Sequence, residues 1–229
     1  MKNLTYLFLL VAGLTSCAEL SESYVIKGSS SVSQLDGRKM YLKVLKNKEL
    51  SSIDSCEVVH GKFQFSGTLD TVQMASVFMD DQSLMPVVME KGDISIAIDN
   101  GKQKVSGTPL NDKLYAFLEH ITRLQNQIQE LDHKFNQMLL DGIDETEANR
   151  TLAGEFNVIM HQEDSLVTNF VTSNFDNLLA PFVFVQMASS VPQIEQIMTN
   201  APESFKNNPT VSEFYKNVTE SMNDHENTD

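Results

Sequence analysis

Two cysteines, Cys17 and Cys56, are the whole thiol complement of this 229-residue chain, and that shortage excludes most cysteine chemistry. There is no Cys-x-x-Cys pair for dithiol exchange and no Cys/His spacing for a structural zinc. The sequence also lacks a G-x-x-x-x-G-K phosphate loop, a G-x-S-x-G nucleophile elbow and an H-E-x-x-H zinc helix. Cations are scarce, with 17 Lys and Arg against 31 Asp and Glu, for a formal charge of −14. Such a surface repels phosphate backbones, so nucleic acid is not expected as a partner, and solubility accounts for the charge. Beyond the N-terminus no apolar run approaches the roughly 20 residues of a membrane-spanning helix.

What the chain does have begins at residue 1. Lys2 is followed by a nearly unbroken apolar stretch, Leu4 to Leu14, and then by Thr15, Ser16 and Cys17. A charged start, a short apolar run and small residues have the layout of a secretory signal. The ending Leu14-Thr15-Ser16-Cys17 resembles the bacterial lipobox. That resemblance implies cleavage between Ser16 and Cys17 and acylation of the Cys17 sulfur, leaving residues 1–16 as leader and 17–23 as an acylated tether. A diacylglycerol group supplies two chains at about 0.8 kcal/mol per buried methylene, the condition for a lasting anchor. Ala18, Glu19 and Glu22 resemble the acidic start of lipoproteins exported to the outer membrane or surface in Bacteroidetes. The expected location is therefore the cell envelope, lipid-anchored at the outer membrane. The alternative is a soluble secreted protein with an ordinary signal. With Cys17 committed to lipid, Cys56 has no partner for an internal disulfide and is a candidate free thiol, read as a small buried hydrophobe.

From residue 24 to about 109 the pattern has period two, with short apolar runs between turn residues. Strands are predicted at Tyr24–Gly28, Lys39–Leu45, Ile53–Val59, Lys62–Ser66, Met74–Met79, Leu84–Met89, Ile94–Ile98 and Lys104–Ser106. Without intervening helices, this spacing predicts an antiparallel, sandwich-like β domain. His60-Gly61 predicts a two-residue hairpin between flanking strands, with Phe63 and Phe65 on the buried face. Ile53-Asp54-Ser55, Gly61-Lys62-Phe63-Gln64-Phe65-Ser66-Gly67, Met89-Glu90-Lys91-Gly92-Asp93-Ile94-Ser95-Ile96 and Val105-Ser106-Gly107-Thr108-Pro109-Leu110-Asn111 follow in order. This series resembles the N-terminal β-rich domain of unknown function in lipid-anchored thiol-disulfide oxidoreductases of Bacteroidetes. In those proteins a thioredoxin-like domain with the redox pair follows the helical region. This sequence reaches Asp229 without such a pair, so the resemblance implies the anchor and the front domain and not the activity.

After residue 110 the period turns helical. Leu114, Phe117, Ile121, Leu124, Ile128, Leu131, Phe135 and Met138 alternate in three-four spacing, which predicts one helix of about 30 residues with Asn111 as its N-cap. Asp141-Gly142 predicts its end, and Asp144 with Glu147 a capping box that opens a second helix, Glu145 to Thr172. Its predicted seam is Leu152, Phe156, Ile159, Leu166 and Phe170, interrupted by Glu163. Two long helices across a short turn predict an antiparallel hairpin. Phe175–Ala188 is expected as a buried helix kinked or restarted at Pro181, Ser190 opens a short helix through Met198, and Thr210–Met222 forms the last. Residues 223–229 are polar and expected to fray as a disordered tail. The fold class is thus α+β, with the helical region spanning 110–222.

No constellation in the sequence specifies a reaction. Glu130 and His133 share a helical turn, as ligands of di-iron bundles do, but no second pair completes a site. Met85 and Met89 read as core filling, and the acidic loops lack the alternating ligands of a calcium site. No catalytic residue, metal or cofactor is expected. The expected role is a non-enzymatic envelope protein that binds a partner or associates with itself through the hairpin. The alternative is an accessory to a separate thioredoxin-like oxidoreductase.

Overall fold

The computed structural model describes residues 22–46 and 48–226. The leader, Cys17 and most of the expected tether lie outside this range.

Among the described residues eight strands, β1 (Glu22–Ser30), β2 (Lys39–Lys46), β3 (Glu49–Glu57), β4 (Lys62–Leu69), β5 (Gln73–Met79), β6 (Gln82–Met89), β7 (Gly92–Asp99) and β8 (Lys102–Ser106), precede six α-helices, with one 3-10 turn, Ser33–Leu35, between β1 and β2. The helices are α1 (Pro109–Leu140), α2 (Glu145–Thr172), α3 (Leu179–Met187), α4 (Val191–Asn200), α5 (Glu203–Lys206) and α6 (Pro209–Glu226). The α+β class follows directly.

The strands form two four-stranded sheets, ordered β4-β1-β7-β8 and β3-β2-β5-β6. Alternation fixes their inner faces: Met40, Leu42 and Val44 on β2, Phe63 and Phe65 on β4, and Ile94, Ile96 and Ile98 on β7 are all buried. These residues join one hydrophobic cluster with Leu114, Phe117 and Ile121 of α1, Val167 and Val171 of α2, and Val183 and Phe184 of α3. Sheets and helices therefore share a core. Gly28 has no side chain because the Phe63 ring occupies its place, where a Cβ would lie 2.1 Å from the ring.

The β region is not purely antiparallel as the strand spacing predicted. β1 pairs in parallel with β7, from Tyr24 opposite Gly92 to Ser30 opposite Ile98. Some 70 residues separate these partners, and period-two patterning carries no information about which distant strand lies alongside. The His60-Gly61 turn forms as expected, with φ of 51° and 67° and mutual backbone bonds between Val59 and Lys62. The predicted hairpin goes no further than that bridge, because β3 pairs with β2 in one sheet and β4 pairs with β1 in the other. The turn is a seam between sheets.

On the other side, between the edge strands β6 and β8, α1 closes the sandwich. Its expected N-cap, Asn111, is instead a fully buried third residue of the helix, with Thr108 at the cap position and Pro109 first in the helix. The Asn111 amide behaves as a piece of strand: Oδ1 accepts the Val88 N–H at 2.9 Å and Nδ2 donates to the Val88 carbonyl at 2.8 Å. The cap comes from elsewhere. Glu90 Oε1 accepts the N–H groups of Leu110 at 2.9 Å and Asn111 at 3.0 Å, placing a carboxylate at the positive end of the helix dipole. One turn on, the Tyr115 hydroxyl donates to the Pro86 carbonyl at 2.9 Å, and burial raises its pKa.

The eight seam residues of α1 are buried or half-buried as predicted, and Gly142, at φ 84°, ends the helix. The Asp144 side chain accepts the Glu147 N–H at 3.1 Å, while the Glu147 carboxylate pairs with Arg150 instead of completing the box. The seam of α2 differs from expectation, since Phe156 is 43% exposed whereas Ala148, Val167 and Val171 are buried. Phe156 lies beyond the body of the protein, where only α1 is present to cover it. Phe175–Leu178 are turns, so the apolar stretch begins its helix at Leu179, and Pro181 sits in the first turn rather than at a kink. Ser190 caps α4 by accepting the Gln193 N–H. The four-residue α5 has no counterpart among the predicted helices, being too short to show a period. Finally, α6 runs through Glu226, past residue 223 where fraying was expected.

Asn111→Ala strands both Val88 backbone groups and should destabilise the fold by about 2–4 kcal/mol, read as a lower urea midpoint. Tyr115→Phe, which orphans one carbonyl, should cost about 1 kcal/mol. Because the folded phenol titrates above its ordinary 10.0, its contribution is full below pH 10 and lost as pH rises beyond it. Stability of Tyr115→Phe should therefore fall less steeply than wild type between pH 10 and 12.

Candidate functional site

Ser16 and Cys17, the expected cleavage and lipidation residues, lie outside the described residues. Cys56 does not, and it sits half-buried on β3 opposite the buried Met40. A β-bulge lies three residues before it, where the register of β3 against β2 skips Ile53. Bulges re-aim the neighbouring side chain. Here the neighbour is Asp54, whose Oδ1 accepts the Ser55 N–H at 2.7 Å and whose Oδ2 accepts the Ser66 N–H of β4 at 3.1 Å. The carboxylate thus bridges the two sheets at their seam.

Burial raises the Cys56 pKa, a backbone hydrogen bond from Gln64 opposes that shift, and the Asp54 charge adds to it. Both upward effects disfavour the thiolate, the nucleophilic form. Burial, and behind it Asp54, also raises the Tyr24 phenol. A reactive cysteine needs an electropositive setting, and this one faces a carboxylate.

Glu130 and His133 are both exposed on α1, and among the described residues no group of three or more His, Cys, Asp or Glu is arranged to hold a metal. Met85 and Met89 are buried within the core cluster. Between α1 and the β7–β8 turn lies an open cleft of about 640 Å³. Met85, Pro86, Leu118, Ile121 and Met187 form its apolar wall, and Asp99, Lys102, Lys104 and Glu119 lie on its rim. Two cations and two carboxylates leave that rim without net charge.

The other feature is the outer half of the α1–α2 hairpin. Residues 124–164 carry nine carboxylates against two cations, which is −7 and half of the chain's −14. Both cations are taken, Lys134 by Glu155 at 3.0 Å across the hairpin and Arg150 by Glu147 along it. Leu139, Leu140 and Ile143 at the turn, and Phe156 and Val158 on α2, are exposed, Leu140 to 82%. A groove of about 530 Å³ runs between the helices, floored by Leu131 and Ile159, with Glu130, Glu155 and Val158 along its sides. Glu163, which interrupts the predicted seam, is half-buried, and burial and the Asp164 charge raise its pKa. Leu139, Leu140, Ile143 and Val158 lie outside the predicted apolar seams. Their signal is an apolar side chain off the heptad seam, visible only once the seam itself is fixed.

Cys56 in the folded protein should react with an aromatic disulfide reagent at pH 7 several-fold more slowly than in urea. Asp54→Asn removes the raising charge, so the reaction should quicken and its pH midpoint fall. A midpoint unmoved by Asp54→Asn would remove that carboxylate from the account.

Residues 24–114 match the model of a family described as Domain of unknown function (DUF4369). No curated protein matches the chain. The matched stretch runs from β1 into α1 and ends at Leu114, three residues after Asn111, so it takes in both sheets and the helical plug that closes them. The β-rich front of this chain is thus similar to a domain whose function is unknown, as the ordered series of strand and turn motifs implied.

Proposed function

We propose that this protein is a non-enzymatic, lipid-anchored protein of the cell envelope, held at the outer membrane through Cys17, and that its helical hairpin docks a protein partner. The observation that carries the reading is the outer hairpin itself. It combines exposed Leu140, Phe156 and Val158 with half of the molecule's net negative charge, on helices whose buried residues there are only Leu131, Ala148 and Ile159. Exposed apolar groups rimmed by charge mark interaction sites.

Charge also bears on the kind of partner. Two copies meeting through this surface would set −7 against −7, which opposes self-association and favours a partner with cations around an apolar contact. An accessory role beside a thioredoxin-like oxidoreductase fits as non-covalent docking, since the burial and acidic neighbour of Cys56 disfavour a thiol-exchange route.

Pull-down from cross-linked envelope fractions, followed by sedimentation, tests this. The expected result is a defined partner bound in low salt and released as ionic strength rises. Phe156→Ser or Val158→Ser should weaken binding by about tenfold or more, the loss typical of an interface anchor, with the melting temperature unchanged. A monomer without a salt-sensitive partner, or binding indifferent to both substitutions, would refute it.

A further inference from the structure

We propose that the end of the β-sandwich from which the N-terminal chain departs is a membrane-contacting face, with Leu45, Leu50 and Val72 reaching the headgroup boundary of a lipid bilayer. The inference rests on the reading of Cys17 as the anchor.

Strand pairing assigns these residues to one end of the fold. Glu22, the first residue of β1, lies opposite Leu69 at the end of β4, and Tyr24 lies opposite Gly92 at the start of β7. Leu69 leads through Val72 into β5, where Ala75 pairs with Val44 at the end of β2. Leu45 and Leu50 follow as a cross-strand pair beside that turn. Leu45, Leu50 and Val72 are 64%, 55% and 45% exposed. Among the described residues before α1, the one other large hydrophobic so exposed is Val59, which lies at the opposite end beside the His60-Gly61 turn. Lys46 and Lys48 on the same turn are outnumbered by Glu22, Glu49, Asp70 and Glu213, the last paired with Lys48 at 2.6 Å, so this end is mildly acidic and suits a zwitterionic rather than an anionic headgroup layer.

The length of the tether brings that end to the bilayer. Four residues lie between Cys17 and Glu22, so the span is at most about 18 Å even when fully extended. The hairpin runs the other way. Thr108 lies beside Gly92, where a Cβ would meet its Cγ2 at 3.2 Å, so α1 starts at the anchor end. It passes Pro86 at Tyr115, and Glu119 and Thr122 share a cleft with Gly101 and Lys102 at the far end of β7 and β8. From Thr122 to Leu140 the helix rises about 27 Å further at 1.5 Å per residue. The apolar end therefore faces lipid while the −7 hairpin stands away from it.

The test uses the processed lipoprotein in phosphatidylcholine vesicles, with Cys56→Ser and a single fluorophore at Leu50→Cys or Leu140→Cys. The expected result is a label at position 50 shielded from iodide and quenched by brominated lipid, with the reverse at position 140. Unlabelled wild-type protein should show slower tryptic cleavage after Lys46 and Lys48 in vesicles than in detergent. A floating protein whose two labels respond alike and whose cleavage is unchanged overturns the face but leaves the anchor. A protein that does not float, or that floats equally well as Cys17→Ser, overturns the anchor and the face together. Shielding of position 50 in the unprocessed chain without vesicles would assign the face to the leader and overturn the lipid contact.

Discussion

A sandwich of two sheets has two open sides, and the side between β6 and β8 is closed by one asparagine amide. Asn111 offers Val88 both an acceptor and a donor, as the next strand of the sheet would, and so satisfies an exposed edge without extending it. Because Asn111 stands in the first turn of α1, the same contact fixes where the helix starts and how it crosses the sheets. Glu90 locks the arrangement by capping that turn with its carboxylate. The remaining helices inherit their positions from α1, which carries α2 back along itself and, through α2, brings α3 and α4 onto the core.

The opposite side closes by different chemistry. There the sheets meet at a tight turn, and the bulge at Ile53 turns Asp54 to hold the Ser66 N–H of the other sheet. That structural duty explains the character of Cys56. The carboxylate needed at the seam lies beside the thiol and raises its pKa, so the requirement of closure works against nucleophilic chemistry at the one described cysteine.

Charge is distributed along the length of the molecule. The outer hairpin holds half of the net charge, whereas the end bearing Leu45, Leu50 and Val72 carries a smaller excess, with Lys46 and Lys48 among Glu22, Glu49, Asp70 and Glu213. An extended helical pair tolerates this because its carboxylates remain solvated and screened, a setting in which like charges repel only weakly. A surface of that kind offers long-range attraction to cations together with a few apolar anchors, which are the two ingredients of a selective contact.

Features that depend on neighbours along the chain were legible in the amino-acid order alone. Phe63 and Phe65 on one face, the His60-Gly61 turn, the ends of α1 and α2 at Gly142 and Asp144, and the Ser190 cap all follow from periodicity, φ preference or a hydrogen bond spanning three residues. Features that depend on distant partners emerge only in the folded chain. The parallel pairing of β1 with β7, the parting of β3 and β4 into different sheets, the burial of Asn111 and the exposure of Phe156 each turn on what lies alongside. An asparagine before a helical run reads as a cap in one dimension, because the first turn leaves N–H groups free and those two or three residues on lie within reach. In three dimensions the helix begins two residues before Asn111, Glu90 takes the free N–H groups of Leu110 and of Asn111 itself, and the amide is released to serve as an edge of the sheet.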